Sequence, residues 1–156
     1  MLELNTPGLG TLTLEHLVLD LNGTIALDGQ VLPGVAERLA ELSPNLSIYL
    51  LSADTLGRGA ETAANLGVEL VKVRAGAGSS VKRQFVEGLG ASHVAAIGNG
   101  ANDAGMLDAA ALGIAVIGGE GLALTCLTAA DVVVASIQGA LDLLLHPQRL
   151  VATLRR

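Results

Sequence analysis

Several segments of the chain carry polar side chains directly after apolar stretches. Asp20 ends the run LVLD, Ser52 ends the run IYLLS, and Asn99 and Asp103 follow the run VAAIG. Lys82 lies in the first turn of a predicted helix, where a cation opposes the helix dipole. A carboxylate could attack phosphorus, a hydroxyl and an ammonium could hold phosphoryl oxygens, and carboxylate and amide oxygens could hold Mg²⁺. The combination fits phosphoryl transfer, which depends on positioning and charge neutralisation.

Each of these segments alone also has a structural explanation. Asp20 could cap the turn that follows it, and Ser52 is a common residue at a helix N-cap. The glycines around Asn99 fit a tight turn, and Lys82 alone fits a solvated side chain. A carboxylate that emerges from a buried strand is costly unless it is paired, so the set as a whole favours a site.

The elements that must position these residues alternate between strands and helices. This alternation predicts an α/β fold, a Rossmann-like three-layer sandwich with a mainly parallel six-stranded sheet. Sites in such folds lie at the carboxyl ends of the strands. The predicted strands are 16–21, 46–51, 68–73, 94–97, 114–117 and 132–134, and the predicted helices are 35–42, 58–66, 80–89, 102–110, 122–129 and 137–145.

Length and composition narrow the classes of protein further. The 156 residues, of which 51% are apolar and 15% charged, predict one ordered domain over 1–156, with a hairpin extension in 1–15. A net charge of −6 and only two aromatic residues argue against a nucleic-acid partner. No uncharged run reaches the roughly 18–20 residues of a membrane span. Without a basic signal segment, and with Cys126 as the single cysteine, we expect a cytoplasmic protein.

The motifs resemble those of the haloacid dehalogenase-like superfamily, which contains phosphatases and the phosphorylation domain of P-type cation ATPases. The segment LVLDLNGTI resembles motif one, and LLSADT resembles motif two. Lys82 matches the lysine of motif three, and the segment IGNGANDAGML resembles motif four. The similarity is strongest to small P-type-ATPase-like proteins that lack a membrane part, and Asp54 also matches the acid of the ATPase sequence T-G-D.

The resemblance implies Mg²⁺ as cofactor and three groups of site residues. By position, the catalytic group is Asp20 as nucleophile with Asn22 and Lys82, the phosphate-binding group is Ser52, Ala53, Lys82 and Asn102, and the metal-binding group is Asp20, Asn22, Asn99 and Asp103.

Two positions depart from the pattern of the superfamily. Its phosphatases carry an Asp where this chain has Asn22, and that Asp protonates the leaving group and then activates water. General acid–base help contributes about 10²–10⁴-fold, so we expect slow hydrolysis or a preference for good leaving groups. Asn99 stands where motif four has a metal-binding Asp, so we expect weaker metal affinity.

The spacing of the motifs also bears on substrate access. Ordinary strand–helix units fill the intervals between the first three motifs, which leaves no room for a cap domain. Residues 25–32 resemble the flap that follows motif one, with Asp28 and Gly29 at its turn. Members without a cap often complete their site with a second subunit, so the resemblance implies a homo-oligomer.

Three hypotheses follow for the function. The first is a Mg²⁺-dependent phosphohydrolase that forms an aspartyl-phosphate at Asp20 and acts on a phosphorylated small molecule or an acyl phosphate. The second is a non-catalytic phosphate- or metal-sensing or assembly module, which Asn22 and Asn99 favour. The third, a response-regulator receiver, fits poorly because its acceptor Asp follows the third strand.

Overall fold

The computed structural model describes residues 1–53 and 57–156. The strands are β1 Leu2–Thr6, β2 Gly10–Leu14, β3 His16–Asp20, β4 Ala26–Leu27, β5 Gln30–Val31, β6 Ser47–Ser52, β7 Glu69–Lys72, β8 Val94–Gly98, β9 Leu112–Val116 and β10 Val132–Val134. The α-helices are α1 Val35–Leu42, α2 Gly59–Leu66, α3 Gly78–Gly88, α4 Ala104–Ala109, α5 Leu124–Ala129, α6 Ile137–Leu145 and α7 Pro147–Leu154.

Six of these strands form one sheet in the order β10-β9-β8-β3-β6-β7, and every neighbouring pair is parallel. The central strand β3 is buried on both faces, because its side chains alternate between two apolar layers. Leu17 and Leu19 pack with α1 and α6, whereas Val18 packs with α3 and α4. The fold is therefore the predicted three-layer α/β sandwich.

The register brings the strand ends of the site to one edge of the sheet. Asp20 at the end of β3 pairs with Leu51 of β6, and Leu19 pairs with Ile97 of β8. Ser52 and Asn99 follow one or two residues later, so they lie at the same carboxyl edge as Asp20.

Two hairpins flank the sheet. Strands β1 and β2 pair antiparallel and lead into the amino end of β3. Strands β4 and β5 form a short flap directly after Asp20, and Asp28 and Gly29 at its tip both have positive φ, 51° and 80°. Positive φ at both central residues is typical of the Asp-Gly hairpin turn.

The main differences between the structure and the sequence prediction lie at two helices, and the ends of several other elements differ by one or two residues. The predicted helix 102–110 begins instead as a 3₁₀ turn, Ala101–Asp103, before α4, because the amide of Asp103 donates to the carbonyl of Gly100. The helix α7 was not predicted at all. It begins with Pro147 at its first turn and buries Leu150 against the larger apolar layer. In the described residues, no helix has the length and apolar character needed to cross a membrane.

Candidate active site

The carboxylate of Asp20 lies in a buried position at the end of β3. Side chains alternate along a strand, so Asp20 lies on the same face as Val18, towards α3. The residue is only 8% exposed, and both its oxygens have partners. The ammonium of Lys82 donates to Oδ1 over 2.8 Å, and the hydroxyl of Thr24 lies 3.1 Å from Oδ2. Burial with two donors fixes the direction in which this carboxylate faces.

Helix α3 brings Lys82 to this carboxylate. Val86, one turn later on α3, is fully buried against the sheet, and the same helical face carries Lys82 inwards. The lysine is 3% exposed, and its Nζ contacts Asp20 and also Oδ1 of Asp103 over 2.6 Å. The cation is thus shared by two carboxylates and makes the centre of a buried ion network.

Asp103 anchors the turn that follows β8. Its Oδ2 accepts the backbone amides of Asn99 and Gly100 over 3.0 and 2.9 Å, and its Oδ1 accepts from Lys82. A Cβ added to Gly98 would lie 2.6 Å from the Asp103 carboxylate, so the carboxylate packs directly on the strand end. Asp103 is fully buried. As placed, it positions Lys82 and the turn, and a direct bond to a metal would have to replace one of these partners.

Thr24 links the first and fourth motifs. Its hydroxyl lies 3.1 Å from Oδ2 of Asp20 and 3.1 Å from Oδ1 of Asn99. The other end of the Asn99 amide donates to the carbonyl of Gly121 over 3.1 Å. Sequence reasoning gave Thr24 no role, although it lies within the quoted motif LVLDLNGTI. The threonine four residues after Asp20 was the sequence signal that could have found it.

Burial and charge shift the pKa values of the network. Burial raises the pKa of Asp20 to about 6, and the neighbouring Asp103 adds to this effect, whereas Lys82 and Thr24 oppose it. Burial alone would lower the pKa of Lys82, but the carboxylates of Asp20 and Asp103 outweigh it and raise the pKa above its ordinary value. Lys82 is therefore a permanent cation at neutral pH.

A cavity of about 420 Å³ opens above the network. It brings together all the predicted site residues except Asp103, which lies beneath it: Asp20, Asn22, Ser52, Ala53, Lys82, Asn99 and Asn102. Two further charged residues line the cavity, Arg74 after β7 and Glu120 after β9. Sequence reasoning assigned no role to Glu120. Asp54, matched to the ATPase motif, lies outside the described residues.

The donors around Asp20 suit a hard divalent cation in type. They are carboxylate, amide and backbone carbonyl oxygens, which Mg²⁺ prefers. Among residues 1–53 and 57–156, no group of three or more His, Cys, Asp or Glu side chains is arranged to hold a metal ion. A metal at this edge would therefore be held by fewer than three such side chains, Asp20 among them, together with neutral oxygens such as those of Asn22 and Asn99.

Solved structures with the same fold include phosphatases and a cation pump. The cobalt-bound deoxy-D-mannose-octulosonate 8-phosphate phosphatase of Haemophilus influenzae superposes with a TM-score of 0.72 at 16% identity, covering 88% of this chain and 90% of that one. The corresponding enzyme of Moraxella catarrhalis, in complex with magnesium, phosphate and its sugar, gives 0.68 at 17% identity over 91% and 94%.

A zinc-transporting PIB-type ATPase gives a TM-score of 0.61 at 29% identity, over 80% of this chain and 20% of the pump. The chain thus corresponds to about a fifth of the pump's length. The chain has the fold of these phosphatases, and the residues by which its sequence resembles the haloacid dehalogenase-like superfamily lie together at the strand ends. The described ranges contain no cap domain.

Two curated proteins of Methanocaldococcus jannaschii are related in sequence. Uncharacterized protein MJ0072 is 59% identical over 39 residues, which is 25% of this chain and 89% of that protein. Uncharacterized protein MJ0073 is 52% identical over 62 residues, 40% of this chain and 67% of that protein. No family model matches the chain. The chain belongs to the family of these two archaeal proteins.

Proposed function

We propose that the protein is a Mg²⁺-dependent phosphohydrolase that forms an aspartyl-phosphate at Asp20. The observation that carries the proposal is the Asp20 carboxylate, buried at the floor of an open cavity and held 2.8 Å from a buried lysine. A pure scaffold gains little from burying this carboxylate beside a second one, because desolvation of charges is costly. A nucleophile facing a phosphate explains the arrangement.

The proposed reaction has two steps. An oxygen of Asp20 attacks phosphorus, the bond from phosphorus to the leaving group breaks, and the electron pair leaves with that group. Water then attacks the aspartyl-phosphate, which releases phosphate and restores the carboxylate. Lys82 neutralises charge on the phosphoryl oxygens, and Ser52 with Asn102 orients them. Asp20, Asn22, Asn99 and Asp103 are the residues that would hold a divalent cation, which would supply further neutralisation of charge when bound.

The proposed substrates are phosphorylated small molecules with good leaving groups. Asn22 lines the cavity beside Asp20, and its amide has no proton to give at neutral pH. An acyl phosphate releases a carboxylate, which needs no proton, whereas a sugar phosphate releases an alkoxide, which does. The Haemophilus and Moraxella proteins are phosphatases of a sugar phosphate, and for this chain we propose acetyl phosphate-like compounds instead.

The test compares the parent protein with Asp20→Asn and with Asp108→Asn, an exposed carboxylate that pairs with Arg83 on the surface. We expect Mg²⁺-dependent phosphate release from acetyl phosphate, abolished in Asp20→Asn and retained in Asp108→Asn. After acid quenching, the parent protein and Asp108→Asn should carry hydroxylamine-labile phosphate, and Asp20→Asn should not. Equal release by the parent and Asp20→Asn would overturn the proposal.

Asn22 and Asn99 favour a second candidate, a non-catalytic phosphate- or metal-sensing or assembly module. Both amides replace carboxylates at positions that matter for turnover in the superfamily. Under this alternative, phosphate would bind in the cavity with no release from acetyl phosphate. The variant Asn22→Asp separates the two candidates, because restoring an acid should raise hydrolysis of alkyl phosphates only if the remaining residues are catalytic.

A further inference from the structure

Glu120 lies at the edge of the active-site cavity, outside every motif. It belongs to the loop between β9 and α5 and lines the same cavity as Asp20, Asn22 and Asn99. The side chain is exposed, and within residues 1–53 and 57–156 it makes no hydrogen bond or ion pair. An unpaired carboxylate that faces a phosphate site needs an explanation, because it would repel an anionic substrate.

The loop that carries Glu120 is fastened to the two turns of the site. The carbonyl of Gly121 accepts from Nδ2 of Asn99 over 3.1 Å, and the amide of Ala123 donates to the carbonyl of Asn99 over 2.9 Å. A Cβ on Gly118 would lie 3.2 Å from the carbonyl of Gly23. These contacts hold Glu120 between the turn after β3 and the turn after β8.

The carboxylate itself lies on the glycine that follows Asn22. A Cβ built on Gly23 would overlap the Glu120 carboxylate and would lie 2.9 Å from Nδ2 of Asn99. Gly23 has φ +80°, which also favours glycine. Two independent features of Gly23, its backbone conformation and its missing side chain, thus leave room for this carboxylate beside the Asn99 amide.

The net charge of the site supports a functional role for Glu120. Asp20 and Asp103 against Lys82 leave one net negative charge, because Asn99 is neutral where a third carboxylate is expected. Glu120 adds a second negative charge on the β9 side of the cavity, which matches a divalent cation there, whereas the cation of Arg74 follows β7, on the other side of β3. We propose that Glu120 is a ligand of the divalent cation, and that its carboxylate stands in for the one missing at Asn99. This inference depends on the metal-dependent reaction proposed above.

The experiment measures binding of Mn²⁺ alone, without substrate or turnover, from the electron paramagnetic resonance signal of the free ion. It compares the parent protein with Glu120→Gln and with Glu15→Gln, an exposed glutamate beside the opposite end of β3. We expect Glu120→Gln to weaken binding by about 10-fold or more and Glu15→Gln to leave it unchanged. The loss should persist in 0.5 M KCl, because salt screens distant charges but not a direct ligand.

A rescue variant distinguishes a missing ligand from a disturbed loop. We expect Asn99→Asp with Glu120→Gln to bind Mn²⁺ as tightly as the parent, because it returns one carboxylate to the same place. Parent-like binding by Glu120→Gln, or a loss that disappears in 0.5 M KCl, would overturn the role of Glu120 and leave the proposed function intact. Failure of the parent protein to bind Mn²⁺ would instead remove the metal-dependent function and this inference together.

Discussion

Two groups of ionised side chains in the molecule both join a cation to carboxylate, but in opposite surroundings. In the network at the carboxyl edge of the sheet, Lys82 lies between Asp20 and Asp103, and all three side chains are nearly inaccessible. On the far side of the sheet, Arg38 of α1 binds Asp142 of α6 through two nitrogens, over 2.8 and 3.3 Å, with about a third of each side chain in solvent. The network lies in the candidate site, and the Arg38–Asp142 pair joins two helices.

The difference shows in the direction of the pKa shifts. Burial raises the pKa of Asp20 to about 6, whereas the hydrogen bond from Arg38 lowers the pKa of Asp142. The buried carboxylate is therefore destabilising when ionised, and the exposed one is stabilising. A buried ionised carboxylate that lowers stability is expected where its charge has a role in function. The position of Asp20 therefore supports a functional role.

The largest effect is expected from Lys82→Met, which removes the cation that both buried carboxylates share. Uncompensated buried charge should cost about 3–5 kcal/mol of unfolding free energy at pH 7.5. Urea denaturation of the variant and of Arg38→Met measures the contrast, and Arg38→Met should change little because its site is solvated. Similar losses in the two variants would contradict the comparison.

A smaller effect is expected from Asp20→Asn, and it depends on pH. Because the folded pKa of Asp20, about 6, lies above its ordinary value of 3.8, the folded protein retains a proton that the unfolded chain releases between these pH values. The parent should therefore lose stability relative to Asp20→Asn as pH rises through this window, by about 3 kcal/mol in the metal-free protein. Denaturation at about pH 4 and pH 7.5 tests it, and a constant difference would contradict it.

Packing beneath the network is tested by Gly98→Ala. A Cβ there would lie 2.6 Å from the Asp103 carboxylate, so the variant should cost about 1–3 kcal/mol and reduce phosphate release. Gly88→Ala is the matched control, since a Cβ at that helical position meets nothing within 4 Å. We expect it to stabilise slightly, because alanine favours the helix. Equal thermal shifts for both variants would show that the strand end is not tightly packed.

The smallest effect is expected from Asp142→Asn, with the opposite pH dependence. The lowered pKa of Asp142 means that its pair with Arg38 contributes stability above the ordinary carboxyl pKa and loses it as pH falls through the folded value. The difference between the parent and this variant should shrink on acidification and in 0.5 M KCl. If the stability difference between the parent and Asp142→Asn grew on acidification, Asp142 would behave like the buried Asp20, which would contradict the comparison.

Much of the fold was predictable because the sheet is buried on both faces. Apolar runs such as LVLD mark strands, and Gly67 marks the end of α2, where its φ is 66°. Helix α7 was missed, although Pro147 at its start and the apolar residues on one side of it were available signals. The predicted homo-oligomer and cytoplasmic location stay predictions.

The candidate site was predictable in its members and less so in its connections. The motif residues lie at strand ends, and parallel strands bring such ends together, so sequence order alone brought Asp20, Ser52 and Asn99 to one edge. The contact of Lys82 with Asp103 depends on how α3 packs against α4. The position of Glu120 depends on a loop that packs against Gly23, which no local pattern encodes.

The two aromatic residues of the chain give the site an optical readout. Tyr49 on β6 meets Phe85 on α3 edge to face, with ring centroids 5.4 Å apart, and Phe85 follows Lys82 by one turn. With no tryptophan in the sequence, Tyr49 is its single strong fluorophore. Any displacement of α3 from the sheet changes the surroundings of the Tyr49 ring. The intrinsic emission of the unlabelled protein can therefore report the position of Lys82 relative to the sheet during titration with a metal or a phosphate.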